Sequence, residues 1–147
     1  MLMTGSPQID AERAFARVAR ARRLGTIMRT VRGKARTRGA LAVYDPRHVG
    51  RATPGRRIRE IPLCAISGTT EPARASLFDG DFRPAPAARH RWQRVWLAEH
   101  RGAVLPPISV VPVEDGYAVR DGHHRVSVAR ARGALTIDAT VESVPAP

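Results

Sequence analysis

Cysteine is nearly missing from this chain: 147 residues carry one, Cys64. An internal disulfide framework is therefore excluded, and so are zinc sites and redox motifs that need paired cysteines. Lysine is as scarce, with Lys34 alone among 25 basic residues. Aromatic residues make up 5% of the chain. No apolar run approaches the roughly 20 residues that span a bilayer. The opening residues MLMTGSPQIDAERAF hold no apolar segment of signal-peptide length and already include Asp10 and Glu12. These absences point to a cytoplasmic protein.

What is present is arginine. The net charge is +12, and all of the excess lies in residues 1–59, which hold fifteen basic and three acidic side chains; the remainder holds ten of each. Such asymmetry implies a polyanionic partner, either nucleic acid such as DNA or an anionic membrane surface. A coding sequence rich in G and C gives the same surplus of Arg, Ala and Pro, and the charge then marks only a solvated basic face.

Periodicity predicts a helix from about Ile9 to Val31, with Asp10 as N-cap. Phe15, Val18 and Ala19 form one apolar group. Leu24, Ile27, Met28 and Val31 form a second at i, i+3, i+4, i+7. Arg13, Arg17, Arg20 and Arg23 flank the apolar face and are the candidate nucleic-acid contacts, while Gly25 is a candidate kink. Residues 32–38 read as loosely structured and GRATPGRR at 50–57 as a linker. Alternation at Ile61, Leu63 and Ala65 predicts a strand from Ile58 to Ile66, with Pro62 favouring a sheet edge or an early position in the strand. Residues 67–72 read as a loop, and Trp92, Val95, Trp96 and Glu99 place a helix over 87–100.

The last third is the most specific. It predicts a strand over 108–113, a hairpin turn at Glu114-Asp115-Gly116, a strand over 117–120, a turn at Asp121-Gly122, a helix from His123 to Arg132 stopped by Gly133, and a strand over 135–141. A strand that turns through Asp121-Gly122-His123-His124-Arg125 into a helix is suited to anions. The first helical turn offers free N–H groups and the positive end of the macrodipole, Gly122 permits close approach, and Arg125 provides a planar fork for phosphate. Asp121 can hold magnesium or take a proton from a hydroxyl, and His124 can donate to a transferring phosphoryl group. The bland alternative is that Asp121 caps the helix and pairs with Arg125. No distant residue is marked as a further metal ligand, so no metal site is expected.

The stretch LPPISVV…DGYAVRDGHHRVSVARARGALTIDATV resembles the ParB/sulfiredoxin superfamily, specifically the ParB N-terminal-like (ParB-like nuclease) domain. The pattern is a strand with Pro-Ile-x-Val, a hairpin, Gly-x-(His or Arg)-Arg opening a helix, a following Gly and a closing strand. With Glu60-Ile61-Pro62-Leu63 as its first strand, the resemblance covers residues 58–142. It implies an α/β (α+β) fold, a compact mixed sheet, with residues 1–57 as a basic helical extension and linker. It also implies a site for ATP or CTP phosphates, with or without Mg2+, at Gly122, His123, His124 and Arg125. Sulfiredoxins carry Cys where this chain has His123, and Cys64 is no substitute, which speaks against sulfinic acid repair. ParB partition proteins continue into a helix-turn-helix, whereas this sequence ends at Pro147. Some relatives are phosphotransferases with an Asp-Gly-x-His turn and a separate Glu. Asp121 and His124 match that spacing, and Glu71 is the candidate Glu, or else a solvated loop carboxylate. Three functions follow as expectations: a nucleotide-binding module associated with DNA, a small-molecule phosphotransferase or nucleotide hydrolase, or a regulatory interaction domain without ligand.

Overall fold

A computed structural model of the chain describes residues 5–32, 39–45, 57–114 and 116–142, and of 29–32 only the backbone. Helix α1 spans Pro7–Arg32. Its first helical hydrogen bond runs from the Asp10 N–H to the Ser6 carbonyl, so Asp10 is not the N-cap; it lies a turn inside the helix and is buried. Gly25 does not divide the helix. A Cβ there would stand 2.8 Å from a guanidinium nitrogen of Arg83, whose other terminal nitrogen donates to the Ala21 carbonyl at 3.1 Å. The missing side chain leaves room for that arginine.

Only the first apolar group of α1 enters the core. Ala11, Ala14 and Phe15 are buried, with Val18 and Ala19 packed beside them. At 100° per residue, Leu24 faces half a turn away from Phe15. Leu24, Ile27 and Met28 are accordingly 51%, 56% and 47% exposed, so this second apolar group does not pack into the core of the described residues. The side chain of Val31, residues 33–38 and residues 50–56 of the expected linker lie outside the described residues.

Strand β1 is Ala42–Val43, β2 is Arg57–Pro62, and a 3-10 turn over Leu63–Ala65 leads into β3, Ile66–Thr69. The single strand expected over 58–66 is therefore two strands in different places. Cys64 sits exposed in the turn between them. Helix α2, Pro72–Ala75, is one turn, and α3 runs Arg89–His100 after a 3-10 turn at Pro86–Ala88. Strands β4 (Ile108–Val113) and β5 (Gly116–Asp121), helix α4 (His123–Ala131) and β6 (Thr136–Val141) follow.

The six strands form one mixed sheet in the order β1-β3-β5-β4-β6-β2. Strands β1, β3 and β5 are parallel neighbours, β4 is antiparallel to β5 and parallel to β6, and β2 closes one edge antiparallel to β6. Pro62 thus ends an edge strand, where its missing N–H costs no ladder bond. The tract Ser67-Gly68-Thr69, expected as loop, is interior strand. A Cβ on Gly68 would overlap the Ala42 carbonyl and the Tyr44 ring, so glycine lets β1 lie close alongside.

Helix α4 is buried nearly all round because apolar layers meet it on two sides. Val126 and Ala129 join the sheet-side core with Ile108, Val110 and Val119. Val128 joins a second cluster with Phe15, Trp92 and Trp96 from α1 and α3. Phe15 meets Trp92 edge to face at 5.5 Å, an arrangement aromatic quadrupoles favour. The indole N–H of Trp92 donates to the Ser127 hydroxyl on α4 at 2.8 Å. Both parts of the chain, before and after residue 58, therefore contribute to the sheet and to the helical layer.

Candidate functional site

The turn from β5 into α4 is built around Gly122. Its φ is +105°, and a Cβ there would come within 2.5 Å of the Ile108 side chain and 3.2 Å of Arg125. Backbone conformation and crowding both require glycine. Gly122 is the N-cap of α4 and no side chain caps the helix. The first helical bond is from the Val126 N–H to the Gly122 carbonyl at 3.1 Å, so the N–H groups of His123, His124 and Arg125 precede the intrahelical ladder. Asp121 does not cap. No ion pair joins it to Arg125 among the described residues.

The two histidines point different ways. His123 is 3% exposed, and its Nε2 lies 2.6 Å from the Thr69 hydroxyl of β3. Thr69 Oγ1 also accepts from the Glu71 N–H at 2.9 Å and lies 3.1 Å from the Val119 carbonyl, so one hydroxyl joins β3, β5 and α4. Phe78 stacks on the His123 ring at 6.3 Å and meets the His124 ring edge-on at 5.1 Å. His124 is 7% exposed, and its ring nitrogens make no hydrogen bond among the described residues.

Burial, with the Arg74 guanidinium and His124 beside it, lowers His123 to about 4 despite the opposing pull of Asp121. Burial, with Arg91 and Arg74, lowers His124 to about 4 as well. Both imidazoles are therefore neutral near pH 7. Burial also lowers the pKa of Arg125, against Asp121 and Glu99.

These groups line a cavity of about 260 Å3, with Arg74 from α2, Arg91 and Val95 from α3, and Leu105 and Pro106 ahead of β4. Arg74 and Arg91 carry no local sequence signal: each reads as one more surface arginine, and only the topology brings α2 and α3 to the start of α4. The structure assembles Asp121, Gly122, His123, His124 and Arg125 at one cavity, and leaves Glu71 out. Glu71 is exposed at the start of α2 and touches the site through its backbone bond to Thr69. Arg13, Arg17, Arg20 and Arg23 are all exposed on α1. Among the described residues no three His, Cys, Asp or Glu side chains group as a metal site, and no helix is long and apolar enough to cross a membrane.

A scan of protein-family models and a search of curated proteins returned no match. The structure is similar to sulfiredoxin from Arabidopsis thaliana. The likeness covers 60% of this chain and 86% of that chain, at 20% sequence identity and a TM-score of 0.44.

Chemically, the cavity gathers anion-seeking groups. Uncapped amides, the positive end of a helix and three guanidinium groups converge where Asp121 supplies the carboxylate of the lining. His124 adds a neutral imidazole that can donate or accept one hydrogen bond.

Proposed function

We propose that the protein binds the phosphates of a nucleotide, ATP or CTP, at the first turn of α4. The observation that carries this reading is the uncapped N-terminus of α4 opening into a cavity shared with Arg74, Arg91 and Arg125, with the buried ring of His124, whose nitrogens make no hydrogen bond among the described residues, beside it. Backbone amides grip the phosphate oxygens, Arg125 and Arg91 match them as two-point donors, and the helix dipole favours the charge. Magnesium fits this site as a companion of the phosphates, since Asp121 is the carboxylate at the lining and Mg2+ is commonly held by one or two carboxylates together with phosphate oxygens.

Calorimetric titration with ATP and with CTP tests the reading. Binding is expected for at least one of them, weakened roughly 10- to 100-fold by Arg125→Ala, the scale of a lost charge-assisted hydrogen bond. Unchanged affinity in that variant overturns the assignment.

A second reading is phosphoryl transfer. Its support is that Asp121, an exposed carboxylate, and the neutral His124 line the same cavity. Asp121 would take the proton of an acceptor hydroxyl, whose oxygen gains the terminal phosphoryl group as the nucleoside diphosphate leaves. Turnover with ATP, Mg2+ and hydroxyl acceptors that vanishes in Asp121→Asn, while nucleotide binding persists, is the expected result. The exposed arginines of α1 support a polyanionic partner for that helix.

A further inference from the structure

The cavity at α4 continues beyond Arg125. Arg91, Val95, Leu105 and Arg125 also line a second hollow of about 660 Å3, whose walls include His90, Arg94 and Ala98 of α3. Shared lining makes the two a single trough. Among the described residues, Arg74, Arg91, Arg94 and Arg125 have no carboxylate partner within 4.0 Å. Arg83, Arg120 and Arg132 each have one. Four guanidinium groups thus face one trough without a counter-charge at contact distance, and the second hollow contains no carboxylate in its lining.

The outer part is shaped for a backbone rather than an enclosed small molecule. Small-ligand pockets bury most of their ligand against apolar and aromatic walls. Here His90, Arg91 and Arg94 are exposed, and the lining holds no Phe, Tyr or Trp on which a base could stack. From His90 to Ala98 the helix runs for about 12 Å, room for roughly two to three nucleotides of one strand depending on how extended it lies. The narrower part, with its amides and buried imidazoles, suits the doubly charged end of a chain.

We propose that the trough holds the phosphorylated end of a single nucleic-acid strand, the terminal phosphate at the first turn of α4 and the next backbone phosphates against Arg91 and Arg94. The proposal rests on the phosphate site described above and names the class of ligand that site takes. Contacts of this kind are to phosphates, so binding is sequence-neutral and falls steeply with salt.

The test titrates the full chain with four probes: pyrophosphate, ATP, a 5′-phosphorylated tetrathymidylate and the same oligonucleotide without its terminal phosphate. The phosphorylated oligonucleotide is expected to bind at least tenfold tighter than ATP or the unphosphorylated strand. Arg94→Ala should weaken it about tenfold, flatten its log–log salt slope by about 0.7, the contribution of one phosphate in a single strand, and leave pyrophosphate within twofold. Arg125→Ala should weaken both. Equal affinity for ATP and the oligonucleotide, or an Arg94→Ala effect equal on pyrophosphate and oligonucleotide, overturns the strand proposal and leaves the phosphate site standing. Oligonucleotide binding indifferent to the terminal phosphate or to Arg125→Ala also overturns it, placing the contact elsewhere, as on α1. Absence of pyrophosphate and ATP binding overturns the phosphate site itself.

Discussion

The Thr69 hydroxyl of β3 lies 2.6 Å from Nε2 of His123, fifty-four positions along the chain, and both groups are buried. A strand and the first turn of a helix are locked by one small side chain behind His123, which lines the cavity at the start of α4. Removing the hydroxyl leaves a buried imidazole nitrogen and the Glu71 N–H without their partner. Thr69→Val should therefore cost about 1–3 kcal/mol, read in a thermal melt as a fall of roughly 2–4 °C per kcal/mol. Thr69→Ser keeps the hydroxyl and should retain most of the stability. Equal losses in the two variants would assign the role to the methyl group instead.

The histidines set an acid limit on stability. Both are lowered in the fold to about 4 from the ordinary 6.5. Between those values the unfolded chain binds more protons than the native one, so stability rises with pH through that window and is lost as pH falls from about 6.5 towards 4. Urea midpoints measured from pH 4 to 7 should show the slope, and His124→Gln should reduce it. An anion seated beside His124 favours its protonated form, so ligand affinity should increase as pH falls towards 5.

Gly122 is the position least open to change. Gly122→Ala places a side chain at φ +105° and against Ile108. Strain alone costs about 1–3 kcal/mol, and relief of the overlap displaces the start of α4. Nucleotide affinity should drop more than in Arg125→Ala, because amides and guanidinium move together; calorimetry on the two variants compares them. A Gly122→Ala protein that binds normally would show that the amides of this turn take no part.

Phe15→Ala opens a gap against Trp92, a side chain with no exposed surface. Large-to-small changes at buried aromatics cost about 3–5 kcal/mol. The variant should lose stability on that scale, with the tryptophan fluorescence red-shifted as α1 loosens from α3. A shift without any loss of stability would make α1 an accessory to the fold.

The sequence makes the β4–β5 hairpin, α4 and β6 legible because each carries its own local chemistry. The hairpin has a turn of the right length, α4 has Gly122 and Gly133 at its ends, and β6 alternates. Strand β3 is not legible. Ser67-Gly68-Thr69 has turn composition, and what makes it a strand is distant: parallel neighbours on both sides and a carbonyl that only glycine admits. The second apolar group of α1 fails for the converse reason, since its period is helical but no element among the described residues covers that face. At the site, Asp121 to Arg125 are visible as one contiguous tract, whereas Arg74, Arg91 and Thr69 become partners only through the sheet order. Glu71 follows from the family resemblance, and the fold keeps its carboxylate outside the cavity.

The seating of Phe15 on Trp92 has a consequence for biosynthesis. Translation proceeds amino end first, at about 5–20 residues per second. The long opening helix therefore leaves the ribosome several seconds before the tryptophan that shelters it has been made. During that interval its aromatic side chain is uncovered, and the like charge of the closely spaced arginines on the same segment opposes association of one such chain with another.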